Sequence, residues 1–200
     1  SYQGITNTMR VLVYSTQRCG STAVMHWISK ELDLTPVFEP FIPCGEEDYR
    51  RYNNNWINDL DTFNGLKHIV AKVIHYNLDE IIHKDNIERD FFSKFDRVIV
   101  IYRENIRDQA ESLLIASKRK ISFGEYNLKK ELSDLNPDHI EETSNIMLEQ
   151  TESLLSYNNC FKITYEDIFI RKDYNKLIEY LGIDEPKHLD LFNPKNKYGK

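Results

Sequence analysis

Two hundred residues with 40% hydrophobic content suffice for one three-layer core, so residues 1–200 are expected to form a single domain. A formal charge of −6 argues against nucleic acid or an anionic membrane as a partner, so an anionic ligand would need a local cluster of Arg and Lys. No apolar run approaches the roughly eighteen residues of a membrane span, no secretory leader is visible, and Cys19, Cys44 and Cys160 lack metal-ligand spacing; reduced thiols in a cytoplasmic setting are expected.

In chain order, Met9 to Ser15 forms an apolar strand that runs into a polar turn and then an amphipathic helix with Val24, Trp27, Ile28 and Leu32 on its buried side. The turn from Ser15 to Thr22 holds Gly20, two hydroxyls at the helix start (Ser21 and Thr22) and one guanidinium, Arg18. Backbone N–H groups, helix dipole and arginine converge there, which suits a phosphate or sulfate ester. The nucleotide signature G-x-x-x-x-G-K-[ST] is absent, since both its first glycine and its lysine are missing. Further strands are predicted at Thr35 to Phe38, His68 to Ile74, Arg97 to Tyr102 and Cys160 to Thr164, most of them separated by helical segments. That alternation predicts an α/β, three-layer P-loop-type fold with a central parallel sheet of about four to five strands. Asn136 and Pro137 open a helix toward Leu155, and Gly182 ends another that spans Tyr174 to Leu181. Glu39 to Gly65 and Lys118 to Leu135 resist regular assignment and are candidates for an acceptor site and a lid. Phe41, Tyr49, Tyr52, Trp56 and Phe63 would line an acceptor pocket, or serve as packing anchors.

A second cation stands where a two-point clamp would need it. Arg103 follows the fourth strand, and the next helix carries an apolar stripe of Ile106, Ala110, Leu113 and Leu114. At about 100° per residue Ser112 lies off that stripe, free to face a ligand.

These segments resemble the sulfotransferases that use 3′-phosphoadenosine 5′-phosphosulfate (PAPS). Gln17-Arg18-Cys19-Gly20-Ser21-Thr22 is similar to their 5′-phosphosulfate loop, with Cys19 replacing a small hydroxyl residue. Arg103 and Ser112 resemble their 3′-phosphate motif at a spacing one residue longer than the commonest form, and Gln109-Ala110-Glu111-Ser112 matches a bacterial-type variant. Tyr165-Glu166-Asp167 resembles a late segment whose tyrosine approaches the nucleotide. The resemblance implies transfer of the sulfonate from PAPS to a hydroxyl or amine of a small-molecule or carbohydrate acceptor, with 3′-phosphoadenosine 5′-phosphate (PAP) as product and no metal. Arg18 would then neutralise the leaving phosphate.

Two groups compete as the base that takes the acceptor's proton. Glu39, before Pro40, resembles the Glu-Pro of bacterial carbohydrate sulfotransferases, and His75 resembles the strand-end histidine of cytosolic ones. Both close predicted strands, at the edge where open α/β sheets bind ligands. Glu39 is preferred, with His75 second. Lys72 could steady the sulfonate, although a strand lysine more often marks a sheet edge. The rivals are a P-loop kinase of small molecules and a non-catalytic nucleotide-binding module.

Overall fold

The computed structural model describes residues 8–40, 60–76, 88–121 and 133–193. Its centre is β1 (Arg10–Ser15), where Val11 to Ser15 are all buried. A strand so apolar needs cover on both faces, and it receives it as the middle member of a parallel sheet. With β2 (Thr35–Phe38), β3 (Ile69–Ile74), β4 (Arg97–Tyr102) and β5 (Phe161–Thr164) the order is β2-β3-β1-β4-β5. Every pairing is parallel; Arg10 lies opposite Ile69, and Val11 opposite Arg97.

Alternation along β1 sends its side chains to two cores. Leu12 and Tyr14 join Ala71, Val73, Val98 and Val100 under a cluster of Phe63, Phe91, Phe92 and Phe95. Those rings come from two short helices, α1 (Ser21–Leu32) lying on the opposite side, namely α2 (Leu60–Gly65) and α3 (Glu88–Ser93), and from the turn after them. Val11 and Val13 join Ile99, Ile101 and Ile163 against Val24, Trp27 and Ile28 of α1. Trp27 and Phe192 are fully buried with ring centroids 5.0 Å apart, and burying side chains of this size contributes about 1.5–3 kcal/mol each. Two longer helices, α4 (Ile106–Ile121) and α5 (Pro137–Leu155), pack against each other, with Ile115, Leu135 and Ile140 between them.

Helix ends follow the local chemistry. Asn136 caps α5 by accepting a hydrogen bond from the Asp138 N–H at 2.9 Å, with Pro137 in the first turn. A π-type turn (Asp167–Arg171) follows β5, and α6 (Asn175–Leu181) closes on Gly182.

Several expectations need correction. The stretch from Glu39 to Gly65 contains α2, and its Phe63 is fully buried against Phe91, a packing anchor and not an acceptor contact. The candidate lid from Lys118 begins as the last turn of α4. Lys72 sits on β3, which is paired on both sides, so it is no edge lysine. Phe41, Cys44, Tyr49, Tyr52 and Trp56 lie outside the described residues. Among the described residues no helix is long and apolar enough to cross a membrane.

Candidate functional site

The strand ends of β1, β2, β3 and β4 open on a cavity of about 450 Å³, within the size range of small-molecule sites. Its floor is the turn that joins β1 to α1, from Gln17 to Thr22. Two residues of that turn have left-handed backbone, Arg18 at φ 60° and Gly20 at φ 72°. Gly20 occupies the N-cap position of α1, leaving Ser21 as the first helical residue. The turn is also packed from behind, since a Cβ on Gly20 would fall 2.4 Å from Phe169 Cε2 and 3.2 Å from Tyr165 Cδ2. Those two rings stack at 4.8 Å, so displacing either gives up that contact. Gly20→Ala is therefore expected to destabilise by about 2–4 kcal/mol, from left-handed backbone strain plus overpacking, as read by urea unfolding. A loss of only about 1 kcal/mol, no more than the backbone strain, would mean that the Phe169 ring yields freely.

Three buried side chains tie the turn to α4. Gln109, Thr16 and Cys19 are each 0% exposed. Gln109 Nε2 donates to Thr16 Oγ1 at 2.8 Å and to the Gln17 carbonyl at 2.5 Å, and lies 3.3 Å from Cys19 Sγ. Thr16 Oγ1 and Cys19 Sγ are 3.1 Å apart. Burial pushes the Cys19 thiol up to about 11, so it stays protonated at neutral pH and serves as packing, not as a nucleophile.

Arg103 stands at one end of the cavity, where β4 ends. Its guanidinium lies 4.2 Å over the Tyr165 ring and 3.7 Å from Glu166 Oε1. Glu166 is itself held in place, accepting from the backbone N–H groups of Glu104 at 3.0 Å and Asn105 at 3.3 Å. Arg103 Nε is buried, faces the Glu166 carboxylate without a hydrogen bond to it, and leaves the rest of the side chain on the cavity wall. About two turns into α4, Ser112 Oγ accepts from Arg18 Nε at 3.1 Å.

The opposite end is an ion pair. Lys72 Nζ is bonded to Glu39 Oε1 and donates to Thr22 Oγ1 at 2.9 Å, with the Phe38 ring 4.4 Å away. Burial pulls the Lys72 ammonium below its usual value, and the Glu39 carboxylate opposes that fall. Glu39 has left-handed backbone at φ 40°, and its N–H donates to the Lys72 carbonyl at 3.0 Å. His75 points elsewhere. Period-two alternation along β3 sends Lys72 and Ile74 to the cavity, whereas Val73 enters the phenylalanine-rich core. His75 Nδ1 is hydrogen-bonded to the Tyr14 hydroxyl, beside that core.

The structure thus brings Gln17, Arg18, Cys19, Gly20, Ser21, Thr22, Glu39, Arg103, Ser112 and Tyr165 around one cavity and leaves His75 off its wall. Sequence reasoning quoted Gln109 and Glu166 within the resembling motifs but gave neither a place among the site residues. A second signal for Gln109 was an amide next to Ala110, on the apolar stripe of a helix. No group of three His, Cys, Asp or Glu that could hold a metal ion occurs among the described residues.

The fold and cavity define a three-layer α/β protein of P-loop type with cations at the strand ends. No family model matches the chain, and no curated protein matches it. Among solved structures, mouse sulfotransferase SULT7A1 complexed with PAP aligns at TM-score 0.43 and 16% identity, over 90% of this chain and 61% of that one. Retinol dehydratase in a complex with retinol and PAP aligns at 0.47 and 13%, over 92% and 62%. The YorR protein of Bacillus subtilis, in complex with phosphorylated GDP, aligns at 0.42 and 12%, over 86% and 96%. The chain spans less than two thirds of the length of the first two.

Proposed function

We propose that this protein transfers the sulfonate group of PAPS to a hydroxyl or amine of a small-molecule or carbohydrate acceptor, releasing PAP. One observation carries the reading: Arg18 of the first turn meets Ser112 of α4 at 3.1 Å inside a cavity that Arg103 also lines. Two elements suited to anions therefore border one cavity, an arrangement that supports a nucleotide with phosphates at both its 3′ and 5′ positions. Arg103, a cation on the cavity wall, would supply guanidinium donors to the second of these phosphates. Adenine and its ribose would lie toward Tyr165, and the acceptor toward Glu39 and Phe38.

In the reaction the acceptor oxygen or nitrogen bonds to sulfur while the bond from sulfur to the bridging oxygen breaks. The electron pair leaves on the phosphate, where Arg18 and the N–H groups at the start of α1 receive the charge. The acceptor's proton goes to Glu39. Lys72, next to both Glu39 and Thr22, lies where the sulfonate oxygens would pass between donor and acceptor.

Calorimetry with PAP and AMP tests the reading. A charge-assisted contact to the 3′-phosphate contributes about 1.5–3 kcal/mol, so PAP is expected to bind at least about tenfold more tightly than AMP. Equal affinity would remove the proposal. Transfer is also expected to persist in EDTA, and a magnesium requirement with ATP as donor would favour a small-molecule kinase instead.

A further inference from the structure

The geometry points to Gln109 as a positioning residue that fixes the spacing between the two anion-receiving elements, the turn after β1 and the start of α4. The inference rests on the nucleotide reading given above and deepens it. Gln109 is rooted in α4, one turn before Ser112, yet both protons of its amide are spent on the other element, at Thr16 Oγ1 and the Gln17 carbonyl. Its orientation is determined chemically, because a flipped amide would set Oε1 against the Gln17 oxygen. Thr16, accepting from Gln109, has its own proton available for Cys19 Sγ, so the chain of contacts reaches the residue just before Gly20.

Packing alone does not account for an amide here. Gln109 Oε1 is buried without a hydrogen-bond partner, a cost that an apolar side chain of equal length would not carry. What the amide supplies is the bridge. A ligand touching both elements benefits from their fixed separation as a bivalent ligand benefits from a rigid linker, and a ligand touching one element does not.

The test uses Gln109→Met, which keeps length and removes both donors. Calorimetry compares PAP with adenosine 5′-phosphate and adenosine 3′-phosphate, and amide hydrogen exchange follows Arg18 to Ser21 in the ligand-free protein. PAP affinity is expected to fall about tenfold or more while each monophosphate changes by less than about threefold. Exchange in the turn is expected to quicken about tenfold while β1 amides stay protected. Equal weakening of all three nucleotides, or unchanged exchange in the turn, would overturn the inference. If the wild-type protein binds PAP no better than AMP, the nucleotide reading fails, and exchange in the turn alone decides whether Gln109 holds it. Thr16→Val removes one anchor and substitutes for Gln109→Met if that variant does not fold; the same selective loss is expected, and its absence would overturn the inference.

Discussion

Glu39→Gln is expected to lower turnover by about 10²- to 10⁴-fold while PAP affinity stays near that of the wild type. The glutamine keeps the shape of the side chain and cannot take the acceptor's proton. It also strips Lys72 of its counter-charge. Lys72 is 6% exposed and burial already works against its ammonium form, so the variant will be less stable and turnover must be compared on folded protein. His75→Asn is expected to be mild, because His75 is hydrogen-bonded to Tyr14 and is not on the cavity wall. The reverse pattern would move the proton transfer to His75. Near-normal turnover in both variants would mean that neither is the base, and the cofactor proposal would stand on its own test.

Arg18→Ala is expected to reduce turnover by about 10²- to 10³-fold, the range for removing one preorganised group from developing negative charge. Backbone strain does not confuse this comparison, since alanine inherits the same left-handed conformation at φ 60° that arginine already tolerates. Arg18→Lys should recover part of the loss, keeping the charge but not the planar pair of donors. A loss below about threefold in Arg18→Ala would shift the charge role to Lys72, which donates to Thr22 of the turn.

Strand positions were legible because β-branched and apolar runs bounded by polar turns carry their own length. Thr35–Phe38 and Arg97–Tyr102 lie where the pattern put them, and the other three strands differ by one residue at their start. Strand order was not legible, since β1 comes first in sequence but lies in the middle of the sheet. That is why Lys72 looked like an edge residue. The six-residue helices α2 and α3 went unread because so short a helix has little intrinsic stability and forms only where its rings find a core. On α4 the stripe of Ile106, Ala110, Leu113 and Leu114 was only partly right. The buried positions include Gln109, Ala110 and Ile115, while Leu113 turns to the cavity. Periodicity assigns faces by hydrophobicity, so an amide buried for its hydrogen bonds escapes it. Which face of β3 meets the cavity, and so whether His75 lies on its wall, is a fact that a linear pattern lacks.

The position of β1 also governs how the chain folds. Its partners β3 and β4 both come from far along the sequence, and such non-local parallel pairings form slowly because long loops must close before any contact rewards them. The turn with Arg18 follows β1 immediately, yet its partner Gln109 comes only after β4 in the chain. A nascent chain that stops short of α4 therefore contains the whole turn but neither Gln109, which bonds it, nor Phe169, which packs behind it.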